Sequence, residues 1–152
     1  MNKSEKEFRI KTIGMIVWPV LSVLVAVGIF ISSSIHGSDS NYASMGIAYS
    51  VQRIIPISIE TINFIVRKGT HFIVYSVLAF CVAHSFKYYV SKYIRLLFYA
   101  WLIASIYGVA DEIHQYFVPG REMALLDMGI NAVGAFLGAG VVVWFLKRKS
   151  ET

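Results

Sequence analysis

The residues that could do chemistry crowd into one stretch, Tyr107 to Gly140, which reads YGVADEIHQYFVPGREMALLDMGINAVGAFLG. An apolar run leads into Asp111, Glu112, His114 and Gln115. A Pro119-Gly120 turn and Arg121 follow, and a second apolar run opens with Asp127 and carries Asn131. Lys68 and His71 open another apolar run upstream. A carboxylate working with His71 or His114 can move a proton in hydrolysis or group transfer. His71, His114, Asp111, Glu112 and Asp127 also have the ligand types of a Zn²⁺ or Mn²⁺ site, although the sequence offers only D-E-x-H-Q and no H-E-x-x-H. A proton or ion relay is a third chemistry, but four spans without inverted repeats make a poor transporter. No G-x-S-x-G is present to mark a serine nucleophile. The plainest alternative is a structural network in which Lys68, Arg67 and Arg121 neutralise Asp111, Glu112 and Asp127, because buried charges need such partners.

The elements that must hold these groups are membrane helices. The 152 residues are 57% hydrophobic and only 15% charged, outside the balance of a soluble domain. The length suits a single domain, 1–152. Four spans are expected at about residues 13–34, 69–86, 96–117 and 127–146. The first is too long for a signal-peptide apolar region and no A-x-A site follows it, so it reads as a retained helix. Residues 35–68 form the long connection. Its first part, 36–44, is small and polar. In its second part, Ile47 to Val66, Ser58 is placed to cap a short helix whose Ile59, Ile62 and Val66 share a face. That helix is expected to lie on the membrane surface.

The net charge of +5 comes from short basic clusters beside the apolar runs, which suits membrane orientation and gives no nucleic-acid groove. Ten of the 14 Lys and Arg lie in the N-terminal tail, the 87–95 turn and the C-terminal tail, and four (Arg53, Arg67, Lys68, Arg121) lie on the other side. Both termini are therefore expected in the cytoplasm of a multi-pass cell-membrane protein. Asp111 stands ~22 Å along the third span, near the far interface. His71, Asp111 to Gln115, Arg121 and Asp127 then all arrive at the extracytoplasmic end. Cys81 is the one cysteine, inside an apolar run, so no internal disulfide forms.

Helical periodicity aims these groups inward. Lys68, His71, Tyr75 and Leu78 share one face of the second span. Ala100, Ala104, Gly108, Asp111 and Gln115 make a stripe of small residues that ends polar, and Asp127, Asn131, Gly134 and Gly138 make another. Gly134 and Gly138 form a GxxxG that brings helices close, by packing within the bundle or by dimerisation. Asp111 and His114, three apart, are spaced to hydrogen-bond. His36 and His84 fall away from the cluster and carry no expected role.

Three segments in order resemble the VanZ-like family of small membrane proteins. They are Lys68-x-x-His71-Phe72-x-x-Tyr75-x-x-Leu78, then Asp111-Glu112-x-His114-Gln115-x-Phe117-x-Pro119-Gly120-Arg121, then Asp127-x-x-x-Asn131-x-x-Gly134-x-x-x-Gly138. The resemblance spans about residues 13–146 in layout, and residues 35–68 are its least family-like part. It implies a link to resistance against teicoplanin, a glycopeptide antibiotic with a fatty-acyl tail.

The expectation is an all-α, integral membrane four-helix bundle with an interfacial helix in its first extracytoplasmic loop. Lys68, His71, Tyr75, Asp111, Glu112, His114, Gln115, Arg121, Asp127 and Asn131 line one ligand-binding pocket. The ligand is an amphiphile at the outer leaflet, a lipoglycopeptide or a cell-wall lipid precursor. An integral membrane hydrolase or transferase is the alternative, with catalytic candidates His71, Asp111, Glu112, His114 and Asp127. No metal, cofactor or nucleic acid is expected, and no oligomeric state follows from the sequence.

Overall fold

The computed structural model describes residues 2–151 as five α-helices: α1 (Lys3–Ser33), α2 (Gly37–Gln52), α3 (Ile59–Phe86), α4 (Tyr93–Tyr116) and α5 (Leu125–Ser150). All but α2 are long and apolar enough to cross a membrane, so this is an all-α, multi-pass membrane protein. α1 begins with a capping box: Asn2 Oδ1 accepts from Glu5 N at 2.8 Å, and Glu5 Oε2 accepts from Asn2 N at 3.1 Å. Pro19 lies inside α1 without ending it. Membrane helices tolerate such breaks when neighbours satisfy the freed groups.

The connection 35–68 departs from expectation. Residues 37–44, read as a polar loop, are the first half of α2, capped by the His36 side chain, which accepts from Ser38 N at 3.3 Å. Ser58 does cap a helix, accepting from Thr61 N at 3.3 Å. That helix is not short: it continues without interruption through Gly69 to Phe86 as α3. At 1.5 Å per residue α3 is ~42 Å long, against a hydrocarbon core of ~30 Å, so its first turns stand beyond the apolar slab. α2 packs on those turns. Asn63 Nδ2 donates to Asn41 Oδ1 at 2.9 Å, and Ala48 is fully buried.

α3 and α5 form the central pair, α4 packs chiefly on α5, and α1 leans on α3 and touches α4 only marginally. The interfaces are built from small side chains: Ala79, Ala83, Ala100, Ala104, Ala135 and Ala139 are all fully buried. This is how membrane helices gain close packing where lipid removes the hydrophobic drive between them. The GxxxG of α5 works inside the bundle. A Cβ at Gly134 would meet the Phe72 carbonyl oxygen, and one at Gly138 would meet that of Ser76, both on α3. Ser76 Oγ donates to the Gly134 carbonyl at 2.9 Å across this contact. Cross-links to neighbours come from Trp101 Nε1 to the Ala132 carbonyl (3.0 Å, α4 to α5) and from Tyr107 Oη to the Ala26 carbonyl (2.7 Å, α4 to α1). Leu24, Phe30, Ile94, Phe136 and Trp144 point outward, where they meet lipid.

Candidate functional site

Both polar stripes are buried. Asp111, Glu112, Gln115, Asp127 and Asn131 range from 0% to 7% exposed, and Tyr75 is fully buried opposite them. They converge at one end of the bundle, with Lys68 and His71 from α3, Arg121 from the α4–α5 connection, and the serines that end α1.

Two networks share this end. In the first, Lys68 Nζ donates to both oxygens of Asp127 at 2.6 and 2.8 Å. His71 Nδ1 lies 3.2 Å from Asn131 Oδ1 and 3.6 Å from Glu112 Oε1. Glu112 Oε2 accepts from Ala124 N at 3.2 Å. That bond has a local cause. The N-cap residue of α5 is Ala124, which has no capping side chain, so a carboxylate from α4 supplies an acceptor at the helix start. In the second network, Gln115 Nε2 donates to Asp111 Oδ2 at 2.9 Å, and Gln115 Oε1 accepts from Arg121 Nη1 at 3.1 Å. Arg121 also donates to the carbonyls of Ser32 (3.0 Å) and Ile35 (3.2 Å) and to Ser40 Oγ (2.9 Å). It thereby closes the C-terminal end of α1, whose last carbonyls lack partners within the helix.

Of the expected neutralising pairs, Lys68–Asp127 forms. Among the described residues Arg121 and Arg67 make no ion pair with Asp111, Glu112 or Asp127. Burial pulls the Arg121 guanidinium below its usual pKa and the neighbouring Arg67 adds to this, while Asp111 and Glu112 oppose both. His114 is the clear exception to convergence. It stacks on Phe30 with ring centroids 4.6 Å apart and places Nε2 3.0 Å from Ser34 Oγ. It faces α1 and makes no bond to Asp111. An i+3 step falls about 60° short of a full turn, whereas the i+4 step to Gln115 returns to the same face.

The first network is incompletely satisfied. Glu112 Oε1 and Asn131 Nδ2 are buried without hydrogen-bond partners. Native interiors rarely leave such groups unpaired, and their clustering is a feature of working sites. His71, Glu112 and Asp127 each bring one potential ligand atom to within 4.8 Å of the others, a set suited to a divalent cation. Both Asp127 oxygens already hold the Lys68 ammonium, however, so a metal would have to share this carboxylate with a fixed positive charge.

Two cavities meet at this end. The first, of about 350 Å³, lies between α1 and α3. Val25, Gly28 and Ile29 from α1 and Ile73, Val74 and Val77 from α3 make its apolar wall, ~6 Å long by helical rise. His71, Tyr75, Asp111, Gln115 and Arg121, with Ser32, Ser33 and Ser40, close its polar end. The second, of about 750 Å³, is a polar vestibule edged by α2, the start of α3 and the α4–α5 connection, and includes Asn41, Arg67, Lys68 and Asp127. Arg121 lines both. Of the ten residues expected to line one pocket, Lys68 and Asp127 face the vestibule, while Glu112, His114 and Asn131 line neither cavity.

The sequence reading missed the contribution of α1 and α2. Ser32, Ser33 and Ser34 interrupt an otherwise apolar run, and that polar break was the available signal. His36, expected to be idle, caps α2. Next to it, Gly37 N donates to the Pro119 carbonyl at 3.0 Å, tying the start of α2 to the Pro119-Gly120 turn. Gly120 adopts φ +74°, which favours glycine. No such room exists at Gly37, where a Cβ would meet the Gly120 backbone.

A sequence model described as VanZ/LLP1 matches residues 18–146. No curated protein and no solved structure matches the chain.

Proposed function

The chain belongs to the VanZ/LLP1 family, and from that premise we propose that it binds an amphiphile at the outer leaflet of the cell membrane and so contributes to resistance against teicoplanin-type lipoglycopeptides. The observation that carries this reading is the 350 Å³ cavity, apolar along α1 and α3 and polar at Asp111, Gln115 and Arg121. A tail and a head find different surroundings within one space, which is the pattern of a small-molecule site with few placed polar groups. A lipid-tailed antibiotic or a cell-wall lipid precursor has this split character. The whole chain is one VanZ-like unit in this reading.

An amphiphile with a photoreactive acyl tail tests the proposal. Carbene label is expected on Val25–Ile29 and Ile73–Val77, and excess teicoplanin should suppress it. Label spread over the lipid-facing residues of α4, or insensitive to competitor, would contradict it.

The orientation is a proposal as well, resting on the ten-to-four distribution of Lys and Arg. Tyr42 and Tyr89 are 84% and 68% exposed at opposite ends of the bundle, so each can carry a reporter thiol. An impermeant maleimide applied to cells is expected to label Tyr42→Cys and to spare Tyr89→Cys. The reverse pattern would place the cavity mouth in the inner leaflet.

The unpartnered Glu112 Oε1 near His71 favours a second reading, an integral membrane hydrolase or transferase acting on a lipid-linked headgroup. It requires turnover of such a substrate, with Glu112 or His71 taking up the proton, and Glu112→Gln must abolish that turnover.

A further inference from the structure

The two charges at the polar end of the cavity are held apart by an amide. Gln115 donates to Asp111 at 2.9 Å with its nitrogen and accepts from Arg121 at 3.1 Å with its oxygen. Asp111 is 5% exposed and, among the described residues, has no Lys or Arg within ion-pair distance. Arg121 has no carboxylate at that distance either. Its remaining partners are two carbonyls and a hydroxyl, which carry only partial charge. Of the five guanidinium N–H groups, four are thus engaged and one, on Nη1, stays available. Asp111 and Arg121 both line the cavity. A charge withdrawn from water without a counter-charge is costly, most so for the buried Asp111 and less for the half-buried Arg121, and one ligand bearing both counter-charges would relieve the two together.

We propose that the cavity takes a zwitterionic amphiphile. Its acyl chain lies against Ile29 and Val74, its ammonium meets Asp111, and its oxyanion, a phosphate or a carboxylate, meets Arg121. The inference rests on the amphiphile reading above and adds the chemistry of the head. A head carrying only an anion is repelled by Asp111, and one carrying only a cation is repelled by Arg121. A Gln at position 115 is the device that makes this selection. With a carboxylate there, Arg121 would be neutralised from within.

Single-tailed probes test this on the full chain in detergent, with retention read by native mass spectrometry. Lysophosphatidylethanolamine and Nα-lauroyl-lysine carry both charges, on phosphate and carboxylate respectively. Lysophosphatidic acid and dodecylamine carry one each. At least one zwitterion is expected to be retained about tenfold better than either single-charge probe, the scale of one charge-assisted hydrogen bond. Which zwitterion wins identifies the oxyanion. Asp111→Asn should reduce retention of that zwitterion to the lysophosphatidic acid level, and Gln115→Glu should erase the preference by pairing with Arg121. Equal retention of lysophosphatidic acid and the zwitterions would overturn the head assignment and leave the amphiphile reading standing. So would a preference that survives in both variants. Retention of none of the four probes would overturn both.

Discussion

Gly138→Val is expected to prevent stable folding, whereas Gly140→Val, two residues along the same helix, is expected to be nearly silent. The added Cβ at Gly138 overlaps the Ser76 carbonyl of α3, a backbone atom in the middle of a helix that cannot turn aside. α3 and α5 share the most extensive helix contact of the bundle, so they would have to separate, and the Ser76–Gly134 hydrogen bond and the alanine packing would separate with them. Overpacking costs ~1–3 kcal/mol where side chains can adjust. Here nothing adjacent is a flexible side chain, so the loss should reach at least ~3 kcal/mol, a large part of a typical ~5–15 kcal/mol. At Gly140 a Cβ meets nothing within 4 Å. Thermal stability of both variants by fluorescence-detected size exclusion checks this. Equal behaviour would mean that the GxxxG does not set the α3–α5 spacing.

The close-packing face of α5 was readable in the sequence because its signal is local, although nothing there named α3 as its partner or excluded dimerisation. Small residues recurring every four positions can only be one helix face, and polar residues ending that face at membrane depth can only point inward. The burial of Tyr75, Asp111, Gln115, Asp127 and Asn131 follows from that periodicity alone. What escaped the sequence depends on which helices become neighbours. Arg121 was matched with carboxylates because charge pairing is the first guess for a cation at membrane depth. It goes instead to the end of α1, 86 to 89 residues away, and no spacing rule links those segments. His114 turns to the same helix. With Ser34 and Phe30 as its neighbours, it is lost to the cluster it was assigned to. The helix α2 was obscured by its own composition. Gly37-Ser38-Asp39-Ser40-Asn41 reads as a turn, yet the His36 cap and the tie to Pro119 start a helix there. Ser58 was recognised as a cap, but α3 extends far beyond the short surface helix expected from it, because Gly69 does not take the left-handed φ with which a glycine ends a helix.

The central claim is that the Asp111 end of the cavity recognises a ligand and does not merely hold the helices together. Asp111→Asn separates the two with unusual clarity. Asp111 forms no ion pair, so the substitution strands neither Lys68, which stays on Asp127, nor Arg121, which stays on Gln115 and the end of α1. The amide oxygen can still accept from Gln115 at the position of Asp111 Oδ2. The charge facing the cavity disappears, and the second carboxylate oxygen becomes an NH2 donor. The measurement is growth of a susceptible host expressing each form with teicoplanin and with vancomycin, which lacks the acyl tail, alongside membrane levels of the protein. The wild type is expected to protect against teicoplanin selectively, and Asp111→Asn is expected to fall to the empty-vector level while inserting and purifying normally. Full protection by Asp111→Asn, or equal protection against both drugs by the wild type, would contradict recognition of a lipid-tailed ligand at this site.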